Sequence, residues 1–322
     1  MILAGIDEAG YGPLLGPLVV GCCAFELKDA DALAPLPCLW KRLRKSLSKS
    51  RTRARRKLHF NDSKQVYNPS VGVRELERSI LTLAIAMNLC ADDPANLLSA
   101  VAPHVLDDLP QYPWYDDRDA RFPIENDGTS LRLSANALRL EMTRADAHCV
   151  HLSARIVLER QLNRMIAATR NKSSALFSTA AIHLDDLIRT FGQSNLVIIC
   201  DRQGARDHYG SLLRTMFEDW SLEIASETGG RSEYRMHRDS HIVRIIFVEK
   251  AEAQCLSVAA ASMLSKYLRE LLMHRFNHFW KTHLPDLHPT AGYFTDGERF
   301  LRDIAAKRAE LGIADEHLVR CR

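Results

Sequence analysis

After Met1 the chain runs Ile2-Leu3-Ala4-Gly5-Ile6-Asp7-Glu8-Ala9-Gly10-Tyr11-Gly12-Pro13-Leu14-Leu15-Gly16-Pro17. An apolar run of strand length ends on two adjacent carboxylates, Asp7 and Glu8, and glycines and prolines follow at once. A second run of small and branched residues, Leu18-Val19-Val20-Gly21-Cys22-Cys23-Ala24-Phe25, reads as the next strand. Neighbouring side chains on a strand point to opposite faces. Asp7 and Glu8 can therefore serve one site only near a strand end, where the backbone turns. A carboxylate in an otherwise apolar strand costs several kcal/mol unless it is paired or holds a metal. On these residues alone a solvated Asp-Glu turn is an equally good reading, and the rest of the chain has to separate the two.

The chain has 322 residues, 46% hydrophobic and 26% charged. That is ordinary soluble globular composition, long enough for one large core with insertions or for two domains. It contains no run of 18 apolar residues of the kind that spans a bilayer. No basic region precedes an apolar stretch at the N-terminus, so a signal peptide is not expected. The eight cysteines make no CxxC pair, and several sit in apolar strand-like runs, so a reduced cytoplasmic protein is expected. The net charge of +3 hides an asymmetry: Lys41 to Lys57 holds ten of the 43 Lys and Arg residues and no acid. Without that segment 33 basic residues face 40 acidic ones, a balance of −7. A block of like charges either binds polyanions or is simply solvated.

Further along, Asn61-Asp62-Ser63-Lys64 is a turn leading towards a helix, and Val73 to Ala86 has apolar residues at helical spacing. Residues 91–142 read as an inserted, partly helical element with a short helix near Ala95–Val105. Ala147 to Val157 reads as a strand, followed by helices over Leu158–Thr169 and Ser173–Phe191. Asn195-Leu196-Val197-Ile198-Ile199-Cys200 is a continuous apolar run suited to a strand buried on both faces, and Asp201 follows it directly. Gly210 to Trp220 reads as a helix and Ser226 to His237 as a loop or hairpin. Ile242 to Val248 reads as another strand, ended by Glu249-Lys250-Ala251-Glu252. Ser257 to Phe276 reads as a long helix with Ser257 near its N-cap. Gly292-Tyr293-Phe294-Thr295 is a turn before a last helix.

Asp7-Glu8, Asp201 and Glu252 thus share one description: each lies at or just past the C-terminal end of a strand-like run. In α/β sheets such positions gather into a crevice. Two unit charges 4 Å apart repel by roughly 4 kcal/mol at an effective dielectric of 20. Divalent cations are the usual remedy, and hard oxygen ligands suit Mg²⁺ or Mn²⁺ better than zinc. Two such ions can activate a water and stabilise the leaving oxygen in phosphodiester cleavage.

Gly5-Ile6-Asp7-Glu8-Ala9-Gly10-Tyr11-Gly12-Pro13-Leu14-Leu15-Gly16-Pro17 closely resembles the opening signature of the ribonuclease HII family. Asp62-Ser63-Lys64, the strand ending at Asp201, the run from Lys250 through Glu252 to Lys266, and Gly292-Tyr293-Phe294-Thr295 are similar to four further motifs of that family, in the same order. The resemblance covers about 2–28, 58–86, 147–204 and 242–305. It implies an α/β, ribonuclease H-like fold: a mixed five-stranded sheet with helices on both faces, plus the inserted partly helical element. It implies one catalytic domain over 1–322, with a basic insertion at about 38–57 and a second at about 91–142. The implied activity is a divalent-metal-dependent endonuclease, using Mg²⁺ or Mn²⁺ in a two-metal mechanism. It would hydrolyse the RNA strand of RNA·DNA hybrids, down to one ribonucleotide embedded in duplex DNA, leaving 5′-phosphates. Asp7, Glu8, Asp201 and Glu252 would be the metal ligands and catalytic acids. Gly10 and Gly12, with Tyr11 between them, would present backbone to the ribose 2′-hydroxyl. Lys64 would contact phosphate, and Tyr293 would pack against a sugar.

Three positions depart from the family pattern: Tyr11 stands where Arg is usual, Glu252 where Asp is usual, and Arg202 where Gly is usual. The alternative function is a nucleic-acid-binding relative, or a structure-selective nuclease that does not read the ribonucleotide junction. A dinucleotide site on Gly10, Gly12 and Gly16 is disfavoured, because Pro13 and Pro17 oppose a helix start and a strand follows. Neither GxSxG nor HExxH occurs. Trp114 and Tyr115 suit either packing within the insertion or stacking on bases. Arg231, Arg235 and Arg238 suit either a substrate channel or a solvated loop.

Overall fold

The computed structural model describes residues 1–28, 30–51, 57–67, 69–70, 72–115, 121–203 and 206–321. Its strands are β1 (Ile2–Ala9), β2 (Leu18–Leu27), β3 (Leu47–Ser48), β4 (Leu58–His59), β5 (Ala147–Val157), β6 (Leu196–Asp201), β7 (Ser221–Thr228), β8 (Arg231–Arg238) and β9 (His241–Val248). The large sheet has the order β5-β2-β1-β6-β9-β8-β7. β5, β2 and β1 pair antiparallel, while β1, β6 and β9 run parallel. β6, the continuous apolar run, is flanked by β1 and β9 and lies in the parallel part of the sheet, where both faces are covered.

The expected α/β sheet with helices on both faces is present, with seven strands rather than five. The two additional strands are the hairpin β7–β8, which adds antiparallel to β9. It turns at Gly229-Gly230, with Gly230 at φ +86, a left-handed conformation that glycine adopts without strain. The expected helix over Gly210–Trp220 stops at Met216. β7 carries little sequence signal because it is the sheet edge: most of its side chains are exposed, so its apolar alternation is weak. Arg231, Arg235 and Arg238 lie on β8 rather than in a loop. Arg231 pairs with Glu233, Arg235 with Glu223, and Arg238 stacks over Trp220.

Alternation along β1 divides the core. Leu3 joins the cluster beneath the long helix Leu256–His283, whereas Ile2, Ala4 and Ile6 join the opposite cluster with the helices Glu159–Thr169 and Lys172–Phe191. The long helix crosses β1 and β2 closely because small residues meet there. A Cβ on Gly5 would lie 2.2 Å from Val258 N, and one on Gly21 2.5 Å from Ala261 O. Ser257 does not cap this helix, which starts at Leu256 after Cys255; its Oγ donates to Leu3 O at 2.8 Å and pins the helix to β1.

The segment 91–142 contributes to the same core. Pro94–Val101 supplies Leu97, Leu98 and Val101, and Gly128–Arg144 supplies Leu131, Ala135 and Leu138. Trp114 and Tyr115 are fully buried, with Trp114 edge-on to Phe276 at 5.6 Å and stacked with Trp280 at 6.5 Å. They pack; they present no face to bases. Asp116 and Asp117 lie outside the described residues, as do Arg53, Arg55 and Arg56 of the basic segment. Residues 41–51 fold onto the domain: Leu47 pairs with Leu58, joining β3 to β4, and both are buried. Among the described residues no helix is long and apolar enough to cross a membrane.

Candidate active site

Three neighbouring strand ends deliver the acids. Asp7 leaves β1 on the side of the long helix: Ser265 Oγ donates to its carbonyl at 3.0 Å. Its Oδ1 accepts from Glu8 N at 2.7 Å. Glu8, one residue on, starts towards the opposite face, and the strand end lets both reach one crevice. Asp201 closes β6, and its Oδ1 accepts from Ala251 N at 3.0 Å. That bond ties the end of β6 to the turn Ala251–Ala253, which follows β9 and carries Glu252.

The four acids are electrostatically linked. Burial pushes the Asp7 carboxyl well above the usual carboxylate range, and the charges of Glu8 and Asp201 push it further. Glu8 is pushed up to about 7 by burial and by Asp201, with Lys64 opposing. Asp201 and Glu252 are both raised, chiefly by burial, and Asp201 also raises Glu252. Among the described residues Lys64 is a cation that offsets Glu8, Asp201 and Glu252. Asp62 caps the short helix Ser63–Val66, accepting from Lys64 N at 2.9 Å, and Ser262 Oγ donates to buried Ser63 at 3.2 Å. The Asp62-Ser63-Lys64 turn is thereby fixed against the same long helix that holds Asp7. Arg202, directly after the third acid, is engaged elsewhere, with Asp207 at 2.7 Å and with Glu249.

The donor set suits a hard divalent cation. It is four carboxylates whose mutual repulsion is only partly offset by Lys64, and Glu252 Oε2 is buried without a hydrogen-bond partner. Among the described residues no three side chains converge into a ready metal cage.

Around the acids the glycine loop forms one wall. Gly10 has φ +86, and a Cβ there would lie 2.5 Å from Pro17 O, so the fold itself demands glycine. Gly12 is different: it is exposed, and nothing lies within 4 Å of where its Cβ would be. Leu14 N and Leu15 N donate to Gly292 O at 2.8 and 3.1 Å, which fastens the turn carrying Tyr293 to this loop. Tyr293 is 55% exposed and free to meet a ligand. The basic segment reaches the site too, since Lys49 Nζ lies over the Trp40 ring at 4.2 Å and donates to Ala253 O at 2.7 Å, one residue from Glu252.

No protein-family model matches the chain, and neither does any curated protein. Solved structures do. The RNase HII of Archaeoglobus fulgidus, in a complex with PCNA, is 18% identical over 100% of this chain and 95% of that one, with a TM-score of 0.43. Ribonuclease H2 from Pyrococcus horikoshii OT3 is 15% identical over 99% and 92%, with a TM-score of 0.46. Bst-RNase HIII in complex with Mn²⁺ is 17% identical over 99% of this chain and 66% of that one, with a TM-score of 0.48. At these identities and scores the likeness assigns no residue and no activity. What the chain itself shows is a mixed α/β sheet in which β5, β2 and β1 are antiparallel and β1, β6 and β9 parallel.

Asp7, Glu8, Asp201, Glu252 and Lys64 are thus gathered in one place, with Gly10, Tyr11 and Gly12 beside them and Tyr293 on the adjoining turn. Three residues that the sequence did not single out shape the loop. Buried Arg269 donates to Leu15 O and Ala291 O, both at 3.1 Å. Arg320 donates to the carbonyls of Gly10, Tyr11 and Gly16. Lys172 lies over the Tyr11 ring at 5.2 Å. Only Arg269 had a local signal, as an arginine amid the apolar residues of a helix.

Proposed function

We propose that this chain is a single-domain, divalent-metal-dependent endoribonuclease that hydrolyses the RNA strand of RNA·DNA hybrids, including ribonucleotides embedded in duplex DNA. The observation that carries this reading is the cluster of Asp7, Glu8, Asp201 and Glu252 at adjoining strand ends, every member raised by burial and the cluster only partly neutralised by Lys64. Such a cluster is costly to keep unless it holds cations.

In this reading the four carboxylates hold one or two Mg²⁺ or Mn²⁺ ions. Bound there, the ions supply an activated water and offset the charge that develops on the phosphate oxygens. Lys64 adds a fixed positive charge at the same place and orients the scissile phosphate. The turn Asp62-Ser63-Lys64 keeps that ammonium from moving with the loop. The backbone of Gly10-Tyr11-Gly12 approaches the ribose 2′-hydroxyl, which open space at Gly12 permits. Tyr293 packs against a sugar, and the Lys49 side of the basic segment follows the strand away from Glu252.

The test is a hybrid of labelled RNA with DNA, offered to the wild type and to Asp7→Asn in Mg²⁺ and in Mn²⁺. The wild type is expected to cut the RNA strand, and Asp7→Asn is expected to bind the hybrid without cutting it. An Asp7→Asn variant that still cuts would remove the acid cluster from the chemistry. Binding without cutting by the wild type would favour the non-cleaving reading.

A further inference from the structure

Lys172 opens the helix Lys172–Phe191, an unfavourable place for a cation because the N-terminal end of a helix is its positive end. The first amides of that helix are already satisfied, since Asn171 Oδ1 accepts from Ser173 N at 2.9 Å and Ser174 N at 3.2 Å. The Lys172 ammonium is partly buried, and the charged group that bears on it among the described residues is another cation, Arg320. Arg320 is itself committed to the loop carbonyls and cannot turn to an anion. What Lys172 does have is the face of Tyr11, 5.2 Å away and within cation–π range. Tyr11 in turn feels the charge of Glu8. Acid cluster, Tyr11, Lys172 and Arg320 therefore follow one another along the edge of the glycine loop.

We propose that Lys172, held on the Tyr11 ring, is a binding site for a backbone phosphate of the nucleic acid, next to the phosphate that is cleaved. An anion there is attracted by the ammonium and by the helix end, and among the described residues no acidic side chain pairs with Lys172. Half-buried, the ammonium has already lost part of its water, so a phosphate contact is charge-assisted and poorly screened. The aromatic face fixes a side chain that would otherwise have to be ordered on binding. The site deepens the nuclease reading and rests on it.

The experiment measures hybrid binding and steady-state cleavage at several salt concentrations for wild type, Lys172→Ala and Lys172→Arg. Lys172→Ala is expected to raise KM about tenfold, to leave kcat within about twofold, and to make the slope of log affinity against log salt shallower by about 1. Lys172→Arg restores both, because charge and ring stacking are retained. In a double-mutant cycle Tyr11→Ala adds little to Lys172→Ala. If the wild type binds and cleaves while Lys172→Ala keeps the full salt slope, this inference fails and the nuclease reading stands. A slope lost equally in Lys172→Ala and Lys172→Arg, with lowered thermal stability, would mean that Lys172 only packs. A wild type that neither binds nor cleaves hybrid would remove both.

Discussion

Arg320 Nη2 donates to Tyr11 O at 3.0 Å, joining residues 309 apart in the chain. Its Nη1 reaches Gly10 O at 2.5 Å and Gly16 O at 3.3 Å, and Leu14 O accepts from its backbone nitrogen at 3.0 Å. Desolvation lowers the guanidinium to about 10, with Arg269 adding to it and Glu159 opposing. Arg320→Ala leaves three loop carbonyls without this donor, so it is expected to cost roughly 3 kcal/mol, measured by denaturant unfolding. Arg320→Lys recovers little of it, because one ammonium cannot span the three carbonyls. Unfolding of Arg320→Ala within about 0.5 kcal/mol of wild type would show that the loop stands without this clamp.

The two loop glycines are expected to separate stability from function. Gly10→Ala forces a side chain into φ +86 and against Pro17 O, so it should destabilise by roughly 1–3 kcal/mol. Gly12→Ala meets nothing in the fold. It should unfold within about 0.5 kcal/mol of wild type and still cut hybrid at least tenfold more slowly, because its methyl occupies the space left for the ribose. Full activity of a well-folded Gly12→Ala would place the ribose elsewhere.

Asp7 is 8% exposed and repelled by Glu8 and Asp201. Without metal, Asp7→Asn should therefore be at least as stable as wild type, while its cleavage falls more than 100-fold. Added Mn²⁺ should raise the wild-type melting temperature in proportion to ln(1 + [Mn²⁺]/Kd), and chelation should reverse it. A melting temperature indifferent to Mn²⁺ and Mg²⁺ would count against the acids as ligands.

Much of this architecture is legible in the sequence where burial is local. β1, β2, β6 and β9 are apolar runs ended by turn residues, and the acids stand at the ends of β1, β6 and β9. The number of strands does not follow from those runs; five is what the family resemblance implies, and the sheet has seven. β7 and β8 are harder, because their charged residues pair across strands, as Arg235 does with Glu223, instead of alternating with apolar ones. Trp114 could not be placed from its acidic neighbours, since the aromatic residues that bury it, Phe276 and Trp280, lie far along the chain. Arg320 and Lys172 escape for the same reason. Each acts on a loop far away in the sequence, and no spacing near either residue announces the contact.

His183 supplies a pH dependence independent of the acids. It is buried with Nε2 3.0 Å from Val20 O, and burial pulls it down to about 4, the bond to Val20 opposing, Arg155 and His151 lowering it further and Asp186 opposing weakly. The unfolded chain protonates this group near 6.5 while the folded chain resists. The stability it contributes is therefore present in full above 6.5 and is lost as pH falls towards 4. The full loss is about 3 kcal/mol. Denaturant midpoints at pH 7.5 and 4.5 should fall further in wild type than in His183→Gln. Equal falls would mean that His183 is protonated in the folded chain.

The central claim is that the acid cluster and the glycine loop together cut beside a ribose. Three labelled duplexes test it directly in Mg²⁺ and Mn²⁺: a continuous RNA strand on DNA, a DNA duplex with one embedded ribonucleotide, and an all-DNA duplex. The expected result is cutting of the first two with 5′-phosphate ends and none of the third. Cutting of the all-DNA duplex at a similar rate, or of none of the three by a protein that binds them, would contradict it.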